Sequence, residues 1–536
     1  MTVVVLDGKS LSLAEAWLVA QNQAQVEIEP TARQQVKRAY ELLMAGAVSG
    51  TPVYGLTVGV GLNKDHQLFD QNGNLTPEVI TASEVFNQAM LRSHCAGSGT
   101  MLGNEIVRLA MLIRLNTLLN GQSAVQVEVA ELYKEFLNQD ICPQIPSQGS
   151  MGEADIMLAS HIGLVMMGEW QASYGGEILS GEEVLKLTKL KPLVPRGKDG
   201  LAILSSNCIS TAYGIVAARA SRNILTISPL VFGLSLEGLN GNIAPFLPQP
   251  VSVRPFPYLK QTAEVLRQTL KGSYLWEVSD TRALQDPLSY RTTVYTLAEG
   301  QSALVDLEEK LVIQINSSDD NPSVIEGASQ EYQEFSQVAE YFIRDKTLSG
   351  GIFPAANFNS LPIALAIQRL SLALAHISHN CVQRNLRLEE EQFTNLPRFL
   401  TVPENKGHGF GSLHVPVVAL HSEIVDLANP ISLSIQAVAG GVEDTGSNTL
   451  QGAQRLEKIS HQLLTNYGIE MMHASQAVTL RRDADNQRPK LSILTSAFYE
   501  AYQEVVPFVT EDRIFTRDIQ HSKEFLMAYA EKVESL

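Results

Sequence analysis

The sequence predicts a mainly α-helical protein on three observations. Apolar residues recur at three- and four-residue steps over long stretches, period-two alternation is confined to a few short runs, and Pro and Gly gather in five loops. A VVVLD run at 3–7 opens the chain as a strand, and 177–179 offers a further β-type pair. Residues 103–119 place Ile106, Leu109, Ala110 and Ile113 on one stripe, which Leu112, Leu115 and Leu119 widen into a core helix. The same spacing runs through 129–138, 210–228, 261–271, 295–314, 329–346, 361–386, 412–428, 449–465 and 491–504. The 361–386 stretch is apolar over most of its circumference, the pattern of a helix inside a bundle or against another subunit. The loops at 50–62, 143–152, 192–200, 242–257 and 402–411 sit on this rigid scaffold, where site chemistry is expected.

Composition narrows the function classes. With 45% hydrophobic and 18% charged residues the chain is not intrinsically disordered. Its 536 residues suggest about three or four units at roughly 150 residues each, or one large helical body. A net charge of −17 with no basic cluster argues against a nucleic-acid or anionic-membrane partner and for a small molecule or another protein. Cys95, Cys142, Cys208 and Cys381 are scattered without zinc spacing, so they read as buried thiols in a reducing compartment, and no metal is expected. No secretory leader is recognised at the start, and no uninterrupted apolar run reaches about 18 residues. A cytoplasmic protein is the expectation.

The loop YGLTVGVG at 54–61 has Gly at 55, 59 and 61. A dinucleotide-binding loop would need a strand before it in a βαβ unit, whereas the surrounding pattern is helical. The glycines suit a mobile loop carrying Tyr54 over a pocket, and a tyrosine with its pKa lowered by nearby cations or donors can act as a general base.

Several segments occurring together and in order resemble the aromatic amino acid ammonia-lyase superfamily, which includes histidine, phenylalanine and tyrosine ammonia-lyases. YGLTVGVG resembles its YGxxTGFG loop, LRSHCAGSG at 91–99 its LxSHxxGxG segment, GSMG at 149–152 its GSVG, and DGLAIL at 199–204 its EGLALI. QDPLSYR at 285–291, SSDDNPSV at 317–324, ANFN at 356–359, LHSE at 420–423 and VEDTGS at 442–447 continue the match to about residue 460. The resemblance implies a long central helical bundle of the ammonia-lyase/fumarase type with a smaller N-terminal α+β part. It also implies a homotetramer whose active sites are each assembled from several subunits. A boundary near 205 separates 1–205, with the Tyr loop and the tripeptide site, from 206–536, with the bundle and C-terminal helices.

The departures carry the functional reading. Family members cyclise an Ala-Ser-Gly tripeptide after GSVG into a methylidene-imidazolone electrophile, but here the chain reads Glu153, Ala154, Asp155. With no Ser to dehydrate and no Gly nitrogen to attack, no such cofactor is expected. Ser205 stands where the family has its supporting Asn, with Asn207 two residues on; Leu288 replaces a Tyr and Val442 a Gln. The pattern resembles the cofactor-free ergothionases, which eliminate trimethylamine from ergothioneine, a trimethylated thiol derivative of histidine, to give thiourocanate. A quaternary ammonium needs no electrophilic activation, because trimethylamine leaves as a neutral molecule. On this resemblance Tyr54 is the base, Glu153 with Glu423 faces the cation, Arg291 holds the carboxylate in a bidentate fork and His94 meets the ring. Asn207, Asn321 and Asn357 complete the substrate-binding set. An ordinary ammonia-lyase or aminomutase, and a non-catalytic binding homologue, stand as alternatives.

Each residue also has a purely structural reading. Glu153 would cap the helix that begins near Ala154, and Arg291 would bridge helices. Asn321 and Asn357 would fix turns. His161, His376, His379 and His421 read as packed or solvated, whereas Lys406 and His408 could shape the pocket from the 403–411 loop.

Overall fold

The N-terminal region is built from short strands and capped helices. β1 (Thr2–Leu6) pairs in parallel with β2 (Ala24–Ile28), and α1 (Leu13–Ala20) connects them. Ser12 accepts the Glu15 amide while the Glu15 carboxylate returns to the Ser12 amide, a capping box that starts α1. α2 (Pro30–Val48), α3 (Pro77–His94), β3 (Ser98–Met101), α4 (Asn104–Leu118) and α5 (Val127–Asn138) follow. Then come β4 (Cys142–Pro143), β5 (Pro146–Gln148), α6 (Ile156–Met166), the β6–β7 hairpin (Gln171–Tyr174 and Glu177–Ser180), α7 (Gly181–Thr188), α8 (Asp199–Leu204) and α9 (Cys208–Leu239). The computed structural model describes residues 2–48, 53–54, 56, 77–344, 348–484 and 489–534.

Beyond α9 the principal helices are Leu259–Thr269, Thr293–Ile315, Leu361–Leu388, His414–Leu427, Thr449–Ala484, Ile493–Val505 and Phe515–Glu534. A three-stranded antiparallel sheet, β8 (Ser323–Glu326), β9 (Phe342–Arg344) and β10 (Ser349–Phe353), interrupts them with β10 in the centre. The fold is mainly α, as its sequence pattern indicates. The chain divides into two units: residues 1–216, 309–365 and 431–453 form one, and 217–308, 366–430 and 454–536 the other. The single sequence boundary at 205 differs from this division, because each of the four longest helices contributes residues to both units.

Local periodicity found most of the long helices but misjudged several elements. Of the 329–346 stretch, the described residues 329–344 form a four-residue helix, Ser336–Ala339, before Phe342–Arg344 pairs with β10; strand pairing overrides the helical spacing there. α9 continues past 228 through Pro229 to Leu239, and the 449–465 pattern belongs to a helix that reaches Ala484. α6, the helix expected to begin near Ala154, starts at Ile156, and because nearly all of it, Leu158 through Met166, is buried it has no polar face to mark a period. Residues 199–239 and the Leu361–Leu388 helix have the length and average composition of membrane spans, although neither contains an uninterrupted apolar run of about 18 residues. Within the protein 89% and 61% of their most apolar windows are buried, which is the environment of core helices.

Candidate active site

Residues 149–155 (GSMGEAD) lead from β5 into α6 along a backbone that only specific partners could hold. Gly149, Gly152 and Ala154 all have positive φ, at 138°, 87° and 72°. At Gly152 a Cβ would approach the Asn448 amide nitrogen to 2.7 Å, so a side chain is excluded there. Its carbonyl accepts the hydroxyls of Ser360 and Ser447 at 2.8 Å each, and the Met151 carbonyl accepts the Ser447 and Asn448 amides at 3.1 and 2.9 Å. Ala154 is a non-glycine residue in the left-handed region, a strained conformation, and its amide donates to Asn207 Oδ1 at 3.1 Å.

Three neighbouring residues therefore have distinct roles. Asp155 is fully buried and caps α9: its Oδ2 accepts the Ile209 and Ser210 amides at 2.9 and 2.7 Å, and its Oδ1 accepts the Ser210 hydroxyl at 2.5 Å. Among the described residues Glu153 caps nothing. It forms an isolated antiparallel bridge with Asn359, both carboxylate oxygens are shielded from solvent, and neither has a hydrogen-bond partner among the described residues. Burial alone pushes its carboxyl up to about 7. Asn207 has no accessible surface, so its sequence assignment as a substrate contact is corrected: its carboxamide is sealed behind the loop, donating from Nδ2 to the Phe358 carbonyl at 2.7 Å.

A buried ion cluster that the sequence reading did not single out supports these loops. Arg114 of α4 donates to Asp319 Oδ1 and Asp320 Oδ2 at 3.0 Å each, and Lys198 Nζ lies 3.4 Å from Asp320 Oδ1 and 2.9 Å from the Pro322 carbonyl. Two cations meet two carboxylates, and all four side chains are at most 3% exposed. Burial raises the Asp319 carboxyl despite Arg114, whereas at Asp320 the attraction of Arg114 and Lys198 overcomes burial and lowers it. Asp319 Oδ2 in turn accepts the Asn207 amide and the Ser206 hydroxyl at 2.8 and 3.0 Å. The signal for this cluster was the acidic pair inside SSDDNPSV together with an arginine on the apolar side of α4.

The remaining sequence-assigned residues divide between the units. In the first, Val53 and Leu56 are buried with Leu42, Leu43, Val324 and Ile352, which anchors both sides of the half-buried Tyr54; Gly55 and residues 57–61 of its loop lie outside the described residues. His94 ends α3 with Nδ1 2.8 Å from the Met90 carbonyl, so Nδ1 carries the proton and Nε2 holds the lone pair in the neutral ring. Its carbonyl accepts the Ser160 hydroxyl of α6 at 3.0 Å, so His94 and Glu153 are both tied to that helix. Asn321 Oδ1 accepts the Ala355 amide at 2.9 Å and Asn357 Nδ2 donates to Ser323 Oγ at 3.1 Å, both stitching loops. In the second unit, Arg291 Nε donates to the Asp286 carbonyl at 2.8 Å and another nitrogen to Gln285, while exposed Glu423 pairs with Lys458 at 2.7 Å, which holds its carboxyl low. Leu288 and Val442 are 64% and 47% exposed. Of the histidines, His161 is packed against Trp170, and His421 against His379 and Ser378. Among the described residues no group of three or more His, Cys, Asp or Glu could hold a metal.

The family model for aromatic amino acid lyases matches residues 11–504. The chain belongs to the aromatic amino acid lyase family. It is 29% identical to histidine ammonia-lyase of Chloroflexus aurantiacus over 95% of this chain and 94% of that protein. Among solved members, ergothionase from Treponema denticola, in complex with desmethyl-ergothioneine sulfonic acid, is 35% identical and superposes with a TM-score of 0.87 over 98% of this chain and 99% of that one. Histidine ammonia-lyase from Trypanosoma cruzi, 22% identical with a TM-score of 0.84 over 99% and 94%, shares the fold. The Glu153-Ala154-Asp155 tripeptide of this aromatic amino acid lyase does not fit a methylidene-imidazolone. Neither a serine nor a glycine is present, and the Asp155 amide that would have to attack already donates to the Ser206 carbonyl at 2.7 Å.

Proposed function

We propose that the protein is an ergothionase-like carbon–nitrogen lyase that eliminates trimethylamine from a histidine betaine such as ergothioneine, giving thiourocanate, with no methylidene-imidazolone. The observation that carries this reading is Glu153, a shielded carboxylate with no hydrogen-bond partner among the described residues, standing where family members place their electrophile. A quaternary ammonium donates no hydrogen bond and interacts only through its charge, so a desolvated carboxylate is a suitable counterion. The 35% identity to an ergothionase over nearly the whole chain supports the same reading.

In the proposed reaction the Tyr54 phenolate takes the β-proton. The Cβ–H electron pair becomes the Cα–Cβ double bond, and the Cα–N pair leaves with trimethylamine. Glu153 with Glu423 faces the substrate's trimethylammonium group, Arg291 holds the substrate carboxylate, and His94 orients the imidazole-type ring. Arg291 and Glu423 serve these roles in a cytoplasmic homotetramer that assembles each site from several subunits. The exposure of Leu361, Leu365 and Leu372, at 40%, 52% and 46% on one helix, supports association through apolar faces. Ammonia release from histidine is the second reading, favoured by the relatives named histidine ammonia-lyase. Incubating the protein with ergothioneine, and separately with histidine, tyrosine and phenylalanine, and following the absorbance of the conjugated product tests both. Turnover of ergothioneine alone is expected, and turnover of none of them would sink the lyase reading.

A further inference from the structure

We propose that Asn207 is a positioning residue for Glu153: its buried carboxamide clamps the two chain segments that carry this carboxylate and so aims it into the site. The inference rests on the reading of Glu153 as the counterion and extends it to a residue that no substrate can touch.

Among the described residues the Glu153 carboxylate has no hydrogen-bond partner to orient it, so its direction depends on its backbone. That backbone pairs with Asn359 in an isolated bridge. Asn207 binds the neighbour of each bridge residue: Oδ1 takes the Ala154 amide at 3.1 Å, and Nδ2 donates to the Phe358 carbonyl at 2.7 Å. One planar group thus spans both sides of the bridge and holds Ala154 at its positive φ. The clamp has a firm base, because the Asn207 amide donates to Asp319 Oδ2 at 2.8 Å and Asp319 is ion-paired to fully buried Arg114. The charged groups around it are occupied elsewhere: Asp155 with the start of α9, Asp319 and Asp320 with Arg114, and Asp320 with Lys198. An alanine at 207 would release both segments at once, and a serine could reach only one of them.

The test is a double-mutant cycle. With Glu153 present, Asn207→Ala should lower kcat/KM for ergothioneine about tenfold or more, since a misplacement of about 1 Å in a reacting geometry can cost on the order of a hundredfold. In a Glu153→Gln background it should change kcat/KM by less than about twofold, because the group it aims is gone. The rise of kcat/KM with pH should also move to lower pH in Asn207→Ala, as a loosened segment admits water to the carboxylate. Equal losses in both backgrounds, or an unmoved pH profile, would overturn the inference. Should the unsubstituted protein turn over no ergothioneine, the functional reading fails separately. The Glu153 titration is then followed by carboxyl carbon-13 NMR in the unliganded protein, where a lower midpoint in Asn207→Ala supports the clamp and an unchanged midpoint refutes it. If the alanine variant does not fold, Asn207→Ser takes its place with the same expected directions.

Discussion

At the residue scale, Glu153 and Asp155, two positions apart in one heptapeptide, have opposite fates because their hydrogen bonds differ. Asp155 spends both oxygens on the start of α9, while those of Glu153 have no hydrogen-bond partner among the described residues. The raised carboxyl of Glu153 has a signed consequence for stability. Between the ordinary value of 4.5 and about 7 the folded protein holds this proton more tightly than the unfolded chain, so its contribution to stability falls as pH rises through that window. Glu153→Gln should therefore raise the melting temperature more at pH 8 than at pH 5 and leave it unchanged only below about pH 4, as read by calorimetry. The same variant should lower kcat/KM for a quaternary ammonium substrate and remove its rise through about pH 7. Tyr54→Phe should cut turnover by roughly 10²–10⁴-fold with substrate affinity retained, as measured by stopped assay and titration calorimetry; a full rate would remove Tyr54 as the base.

At the element scale, the site loops are held by helix starts and buried charges more than by strands. Asp155 satisfies two amides at the N-terminus of a 32-residue helix, so Asp155→Ala should cost about 1–3 kcal/mol through those unsatisfied donors, seen as a lower denaturation midpoint. Arg114 faces two carboxylates in a site without solvent. Arg114→Met would leave these charges under-compensated, and a loss of about 3–5 kcal/mol is expected, larger than for any exposed ion pair such as Glu423–Lys458. The sequence showed these elements unevenly. α4 was evident from its apolar steps, yet the value of Arg114 within it was not, because an arginine in a core helix is legible only once Asp319, 205 residues away, is seen beside it.

At the scale of the whole molecule, the chemistry predicts an intact mass equal to that of the unmodified chain. A cyclised tripeptide would be lighter by two waters, and finding that loss by mass spectrometry would overturn the cofactor-free reading. Light scattering should give four copies per particle if exposed Leu361, Leu365 and Leu372 meet their equivalents in other subunits. By itself, the sequence determined the mainly helical class, most of the long helices, the family motifs and the missing Ser and Gly of the tripeptide. Those features are written in local spacing and residue identity. Only the tertiary structure decided which acid caps and which is left unheld, that Asn207 lies out of reach of substrate, and that Asp319, Asp320, Arg114 and Lys198 form one cluster. Burial and partnership belong to residues brought together from afar: the donors to Asp155 and Asn207's acceptor for Ala154 lie more than 50 positions away along the chain, where no spacing rule can reach them.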